Sequence, residues 1–185
     1  MFTIRNLSVI MLSMIMFLPG CDSKSPVQSK NEIKVIGSRV SDCGGFEETS
    51  KRSDVSIPFT RNLSTYCDAE KLEWFYENST HTLKLLNSRV FLNCCGEHEI
   101  TAHNENGIIV VSENDQPVEG TGRCWCMCVY DFYIDISGLE SGVIKMMLDI
   151  TVDDTKTSKW EGEIDLRKEN GEIVIDDNPL EYGCP

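Results

Sequence analysis

The sequence predicts an all-β protein, built as an antiparallel β-sandwich or a partly open barrel and braced by disulfides. Apolar and polar residues alternate with a period of two over much of the chain beyond residue 70, which is the pattern of half-buried strands. Two Asn-Gly pairs, at Asn106 and Asn170, favour tight hairpin turns because both residue types tolerate positive φ. No clear helical crossover separates the strands, and strands joined by tight turns are typical of antiparallel sheets.

The chain begins with the layout of a secretory signal. One basic residue, Arg5, precedes an apolar run that extends from Leu7 to Leu18. This run is shorter than the roughly 20 residues that a membrane-spanning helix needs. The next residues complete the motif Leu-Pro-Gly-Cys, which resembles a bacterial lipobox. The resemblance implies cleavage before Cys21 and acylation of its sulfur.

This interpretation divides the chain into three segments. We expect a lipoprotein signal peptide at residues 1–20, a lipidated Cys21 with a flexible tether over residues 21–31, and a single β-domain over residues 32–185. Acyl chains on Cys21 would hold the domain on a membrane of the bacterial cell envelope, facing the periplasm or the cell surface. The formal net charge of −13 disfavours nucleic acid as a partner. An envelope protein or a glycan is the partner class that remains.

The first strands of the β-domain are predicted around a polar turn. Leu72, Trp74 and Tyr76 occupy alternate positions before the turn at residues 78–80. Four apolar residues continue the alternation in one or two further strands after it, namely Leu83, Leu85, Val90 and Leu92.

The Asn-Gly pairs and the longest apolar segment predict the remaining strands. Asn106-Gly107 predicts a hairpin between residues 98–103 and 108–111, and Asn170-Gly171 predicts one between residues 164–166 and 173–175. Residues 124–136 are predicted to form one long strand. The segment Val143–Val152 fits either a helical face or an alternating strand, and its β-branched residues favour the strand.

Cysteine content provides the most distinctive chemistry of the predicted domain. Eight cysteines follow Cys21, and they are Cys43, Cys67, Cys94, Cys95, Cys124, Cys126, Cys128 and Cys184. An even number outside the cytoplasm favours disulfides over free thiols, although spacing alone leaves the connectivity open.

Three of these cysteines alternate along the predicted strand of residues 124–136. Alternate residues share a face, so Cys124, Cys126 and Cys128 are expected to point towards the interior, with Trp125 and Met127 on the opposite, solvated face. Side chains two apart on a strand stand parallel at the upper limit of disulfide geometry, so each cysteine needs a partner on another element. The segment Cys94-Cys95-Gly96 is the obvious source of partners, provided that the glycine makes a turn or bulge there.

A soft-metal site is the alternative to disulfide bracing. Thiolates and a thioether suit Cu(I), and several thiolates suit Zn²⁺. The candidate ligands would be Cys94, Cys95, Cys124, Cys126, Cys128 and Met127. Disulfides with no cofactor remain the favoured interpretation, because strict alternation does not match the usual spacing of zinc ligands. The chain has no Cys-x-x-Cys, which disfavours a thioredoxin-like redox role.

Several motifs together carry a resemblance to a known group of proteins. Asn93-Cys94-Cys95 and Cys124-x-Cys126-x-Cys128 stand within a pattern that also includes Trp74-x-Tyr76, Leu83-x-Leu85, Asp131-Phe132 and Ile136-x-Gly138-Leu139. This pattern, which covers roughly residues 67–152, resembles small bacterial lipoproteins of a type common in Bacteroidetes. The resemblance supports the domain assignment and implies no activity, cofactor or catalytic residue.

No combination of residues indicates an enzyme. The chain lacks a Gly-x-Ser-x-Gly elbow and a glycine-rich phosphate loop, and His81, His98 and His103 are expected on the solvated surface. Trp74 and Trp160 are expected in the core, whereas an exposed Trp125 could contact a ligand. The sequence therefore predicts a non-enzymatic structural or interaction module of the cell envelope.

Overall fold

A computed structural model describes residues 32–44 and 69–177. The signal peptide, Cys21, the tether, Cys67 and Cys184 lie outside the described residues, so the assignments made for them stay predictions. The described residues form strands and turns without a helix. Over those two ranges, accordingly, no helix has the length and apolar character of a membrane span.

Nine strands make up the described part of the chain. They are β1 (Lys34–Val40), β2 (Glu70–Glu77), β3 (Thr82–Asn93), β4 (Gly96–Glu105), β5 (Ile108–Pro117), β6 (Met127–Ser137), β7 (Val143–Val152), β8 (Thr155–Asp165) and β9 (Asn170–Asp176). The ambiguous segment Val143–Val152 is a strand, as its β-branched residues favoured.

The strands form two packed sheets, which confirms the predicted all-β sandwich. One sheet has five strands in the order β1-β6-β3-β2-β9, and the other has four in the order β4-β5-β7-β8. The sheets do not close into a barrel. All pairs are antiparallel except β5 with β7, which run parallel from Ile108↔Lys145 to Asp115↔Val152. The second sheet is therefore mixed, because the chain leaves it after β5 to form β6 in the other sheet.

The core lies between the two sheets and takes side chains from both. Phe132 and Leu83 of the five-stranded sheet are fully buried, as are Met146 and Leu148 of the four-stranded sheet. Trp74 is also buried and Trp160 is partly buried against this core, as the sequence predicts for two of the three tryptophans. Alternation in β2 and β3 was thus a correct indicator of the buried face.

The Asn106-Gly107 hairpin is confirmed. Both residues have positive φ, at 54° and 90°, and the turn joins β4 to β5 over ten paired positions from Glu105↔Ile108 to Gly96↔Pro117. This conformation is the reason that asparagine and glycine are favoured at such turns.

The predicted hairpin at Asn170-Gly171 is wrong. Both residues belong to β9, which pairs with β2 in the five-stranded sheet, whereas β8 lies in the four-stranded sheet. Residues 166–169 therefore pass from one sheet to the other. Gly171 lies opposite Trp74, and a Cβ on this glycine would overlap the indole ring. The glycine serves the close packing of an aromatic side chain, a use that an Asn-Gly pair does not reveal.

Candidate functional site

Three disulfides link the cysteines of the described residues. Cys43 pairs with Cys128, Cys94 with Cys126, and Cys95 with Cys124, each with the two Cα atoms 5.6 Å apart. The disulfide bracing predicted from the sequence is confirmed for these six residues. The last two bridges, which we call the outer bridges, are neighbours because their cysteines come from the same two short segments.

The expected single strand over residues 124–136 is wrong at its beginning. β6 begins at Met127, so Cys124 and Cys126 lie in the preceding loop with exposed side chains. Of the three cysteines, Cys128 alone points to the interior, where it is 3% exposed. Residues 124–126 do not pair with β3, because Cys124 and Cys126 bond to the turn at residues 94–95, where β3 has already ended. This turn also explains how adjacent cysteines can both bond to one loop.

Asn93 holds the cysteine loop by hydrogen bonds that are independent of the sulfurs. Its side-chain amide donates to the carbonyl oxygens of Cys124 and Cys126, at 2.8 Å and 3.1 Å. Its side-chain oxygen accepts from the backbone N–H of Cys95 at 3.0 Å. The N–H of Cys94 also donates to the carbonyl oxygen of Cys126, at 3.2 Å. The asparagine of the Asn-Cys-Cys motif therefore joins the turn to both sides of the loop.

Arg123 fixes the other end of the same loop. Its guanidinium forms a salt bridge with the buried carboxylate of Asp115 and donates to Asp153 Oδ1, with the Nε–Oδ1 distance 2.8 Å. Gly96 leaves the space for this pair, because a Cβ there would overlap Asp115 and would lie 2.8 Å from Arg123 Nη1. The loop is thus tied to β5 and to the β7–β8 turn as well as to the cysteines.

The His98 side chain is only 8% exposed and lies beside this ion pair, which corrects its expected place on the solvated surface. The Nε2 atom lies 3.4 Å from Asp115 Oδ1, and the ring stacks on Tyr130 with a centroid distance of 4.1 Å. Burial lowers the pKa of His98, and the nearby Asp115 carboxylate only partly offsets that effect. His81 and His103 are exposed at about half or more of their side-chain surface, as predicted.

Trp125 projects fully into solvent from the loop that these contacts hold. It has 107% relative exposure, and Met127 of β6 and Phe91 of β3 are 52% and 39% exposed. Asn93 pairs with Met127 and Phe91 with Val129, so Phe91 and Met127 share the outer face of the five-stranded sheet. We call Phe91, Trp125 and Met127 the Trp125 surface. The prediction that Trp125 and Met127 are exposed is confirmed.

Farther along β6, the same outer face is buried, although alternation predicted it to be wet. Asp131 is fully buried, and its Oδ1 accepts from the backbone N–H of Arg89 at 3.0 Å and from its guanidinium at 3.2 Å. The Arg39 guanidinium lies over the Tyr133 ring, 4.0 Å from its centroid. β6 is flanked by β1 and β3, and arginines from both neighbours cover it.

The outer bridges also bring together four possible metal ligands. The Sγ atoms of Cys94, Cys95, Cys124 and Cys126 lie within 4.8 Å of one another. Cys128 is bonded to Cys43, so the structure removes it from the six candidate ligands and leaves these four cysteines and Met127. In the disulfide form these sulfurs are not thiolates, and thiolates are what Zn²⁺ and Cu(I) require.

A second polar cluster lies inside the sandwich. Glu113 of β5 is fully buried, and its Oε1 accepts from the Asn87 amide at 2.9 Å. The same amide donates to Glu70, which also pairs with Lys159. Burial raises the pKa of Glu113 from 4.5 to about 8, although Lys159 and Asn87 act in the opposite direction. A neutral carboxyl is therefore its stable form in the folded protein at neutral pH.

Sequence reasoning missed Asn93, His98, Asp115 and Arg123 as parts of the site. One signal was available, because Glu113 and Asp115 continue the face of β5 that Ile109 and Val111 bury. Acidic residues on a buried face indicate a partnered polar cluster. Arg123 and His98 come from separate segments, and no local sequence pattern indicated that they would meet Asp115.

Comparisons with known protein families, with curated proteins and with solved structures find no match for this chain.

Proposed function

We propose that this chain is a lipid-anchored envelope protein that acts as a non-enzymatic interaction module and binds a protein partner through the Trp125 surface. One observation carries the proposal: a fully exposed tryptophan stands between two cysteines that are both bonded to the body of the domain. Tryptophan is enriched at protein interfaces relative to the rest of the surface, so a tryptophan that covalent bonds hold in water favours a binding role.

Fixing Trp125 in advance favours tight binding. Association costs about 0.5–1.5 kcal/mol for each mobile side chain or loop residue that it immobilises. Here the backbone on both sides of Trp125 is held by the outer bridges and by the Asn93 amide, so much of that ordering occurs on folding. Tryptophan is also the residue type most enriched among residues that dominate interface energies.

A protein partner fits this surface better than a glycan. Phe91 and Met127 add apolar area of the kind that is enriched at protein interfaces. Sugars need polar side chains beside the aromatic ring, and the nearest amide in the strand register, that of Asn93, is already used to hold the loop.

The test replaces Trp125 with a photo-crosslinking amino acid in cells that make the full-length protein. Val174, which is 49% exposed on β9, provides the matched control position. We expect a discrete protein adduct from position 125 and none from position 174, and competition by the purified domain should remove that adduct. Equal adducts at both positions, no adduct at position 125, or capture of glycan alone would contradict the proposal.

The membrane anchor is tested separately. In the proposal Cys21 carries the acyl chains, so Cys21→Ser should abolish incorporation of labelled palmitate and move the protein from the membrane fraction to the soluble envelope fraction. Ser23, which is close in sequence, provides the control as Ser23→Ala. Unchanged labelling of Cys21→Ser would contradict the lipid anchor.

Binding of a soft metal is a second candidate, and the grouping of four sulfurs within 4.8 Å favours it. Sulfurs in tetrahedral zinc sites are roughly 3.8 Å apart, given Zn–S bonds of about 2.3 Å, so only small shifts would be needed once both outer bridges were reduced. We expect the fully reduced domain to bind one Zn²⁺ or Cu(I), and Cys95→Ser to weaken that binding. Failure of the reduced domain to bind either metal at micromolar concentration would exclude this candidate.

A further inference from the structure

We infer that the two outer bridges form a thiol–disulfide exchange site that oxidises a dithiol on another protein. This inference goes beyond the docking role, because exchange is a chemical reaction of the sulfurs that a small dithiol peptide can test without the docking partner. The absence of Cys-x-x-Cys from the sequence disfavoured a thioredoxin-like redox role. In the structure, however, each outer bridge joins two separate segments, the turn at residues 94–95 and the loop at residues 124–126.

The place of the leaving thiolate separates the outer bridges from the third bridge. Cys124 and Cys126 are exposed, and their partners Cys94 and Cys95 are half-buried. Cys43 is exposed as well, but its partner Cys128 is 3% exposed in the core. Attack on Cys43 would release a thiolate into apolar surroundings, which stabilise the charged form poorly and so disfavour its departure. The Cys43–Cys128 bridge is therefore structural, whereas the outer bridges release their thiolates near the surface.

The exchange balances without a further reactant. A thiolate of the dithiol attacks Cys124 Sγ, the Cys95–Cys124 bond breaks, and Cys95 leaves as a thiolate that takes up a proton. The second thiol of the dithiol then displaces Cys124 from the mixed disulfide. Two electrons and two protons pass to Cys95 and Cys124, and the dithiol becomes a disulfide.

The second bridge lies within reach of the first. All four sulfurs lie within 4.8 Å of one another, so the Cys95 thiolate can attack Cys126, form a Cys95–Cys126 bond and release Cys94. This step breaks one S–S bond and forms another, so it consumes no reductant. Through it, either exposed sulfur gives access to both outer bridges, and a complete reaction at these two bridges consumes two dithiols.

The loop has contacts that would survive reduction. The Asn93 amide bonds to the carbonyl oxygens of Cys124 and Cys126, and Arg123 is paired with Asp115 and Asp153. None of these contacts uses sulfur. The reduced form therefore keeps the four thiols together, which is what reversible exchange requires.

The test adds a reduced dithiol peptide to the oxidised full chain and maps labelled thiols by mass spectrometry while near-ultraviolet circular dichroism monitors the fold. We expect label on Cys94, Cys95, Cys124 and Cys126, none on Cys43 and Cys128, recovery of oxidised peptide, and an unchanged spectrum. Label on all six cysteines together with loss of the spectrum, or peptide that stays reduced, would overturn the inference.

Two variants sharpen the result. Cys94→Ser with Cys126→Ser keeps one outer bridge and should oxidise half as much peptide as the parent. Cys95→Ser leaves Cys124 unpaired, and we expect its thiolate to attack an oxidised peptide and to release one peptide thiol, so that alkylation of this thiol traps a mixed disulfide at Cys124. Absence of that adduct in a folded Cys95→Ser protein would count against exchange at this site.

Discussion

The side-chain amide of Asn93 donates a hydrogen bond of 2.8 Å to the carbonyl oxygen of Cys124, just before the exposed Trp125. A second bond from the same amide reaches the carbonyl oxygen on the other side of the tryptophan, at Cys126. The position of Trp125 therefore depends on a side chain from β3 as well as on the disulfides.

Asn93→Ala should destabilise the domain by about 1–3 kcal/mol, because the Cys124 carbonyl oxygen and the Cys95 N–H lose this partner and the Cys126 carbonyl oxygen keeps only the Cys94 N–H. Chemical denaturation under oxidising conditions measures the change. Asn104→Ala is the control, since Asn104 makes one exposed bond to the N–H of Gly107 and should cost less than about 1 kcal/mol. Equal losses for the two variants would show that Asn93 does not hold the loop.

Gly96→Ala should destabilise the domain by about 1–3 kcal/mol, because the added methyl group overlaps Asp115 and crowds Arg123. Gly142→Ala is matched in chemistry and has open space around its Cβ, so its effect should stay within about 0.5 kcal/mol. Thermal unfolding of both variants beside the parent makes the comparison. A Gly96→Ala protein as stable as the Gly142→Ala protein would contradict the close approach of Asp115 to the turn.

Trp125→Ala should leave the free energy of unfolding almost unchanged, because this side chain is fully exposed. Trp74→Ala should cost about 3–5 kcal/mol, since Trp74 is buried and packs over Gly171. The free energies of unfolding of the two variants, measured by chemical denaturation, distinguish an exposed indole that is available for binding from an indole that packs in the core. A large loss for Trp125→Ala would mean that this tryptophan packs against the domain.

Glu113→Gln should change how stability depends on pH. The folded pKa of about 8 lies above the ordinary value of 4.5, so the folded protein holds a proton that the unfolded chain releases in this range. Glu113 therefore makes the protein less stable as pH rises from about 4.5 to 8, by at most about 1.4 kcal/mol per pH unit.

Unfolding free energies of the parent and of Glu113→Gln, measured between pH 5 and pH 8, test this sign. The glutamine variant should gain stability relative to the parent as the pH rises, because it has no proton to lose. Glu99→Gln, on an exposed position of β4, should follow the parent at every pH. A constant difference between the parent and Glu113→Gln would show that Glu113 is already charged in the folded state.

Short-range pattern was enough to predict much of the fold. Alternation identified the buried faces of β2 and β3, and Asn106-Gly107 identified a hairpin, because strand period and turn conformation are local properties. Asn170-Gly171 wrongly predicted a hairpin, because Gly171 is required by close packing against Trp74 on a different strand and not by a turn. The parallel pairing of β5 with β7 depends on where β6 goes, which no local pattern encodes.

The site was predictable only in part, for the same reason. The cysteine spacing indicated bridges between residues 94–95 and the 124–128 segment, but strand parity placed Cys124 and Cys126 inside. A loop held by disulfides need not follow strand parity. Asp115 and Arg123 meet only in the folded chain, so their pairing required the structure.

Disulfide mapping of the natively purified protein tests the central claim most directly, because every role proposed for the cysteine loop depends on its bonding. Unreduced protein would be alkylated, digested and analysed by mass spectrometry beside elemental analysis. We predict the pairs Cys43–Cys128, Cys94–Cys126 and Cys95–Cys124, with no bound metal. Free thiols at Cys94, Cys95, Cys124 and Cys126 with stoichiometric zinc or copper would contradict the account and make these four residues a metal site.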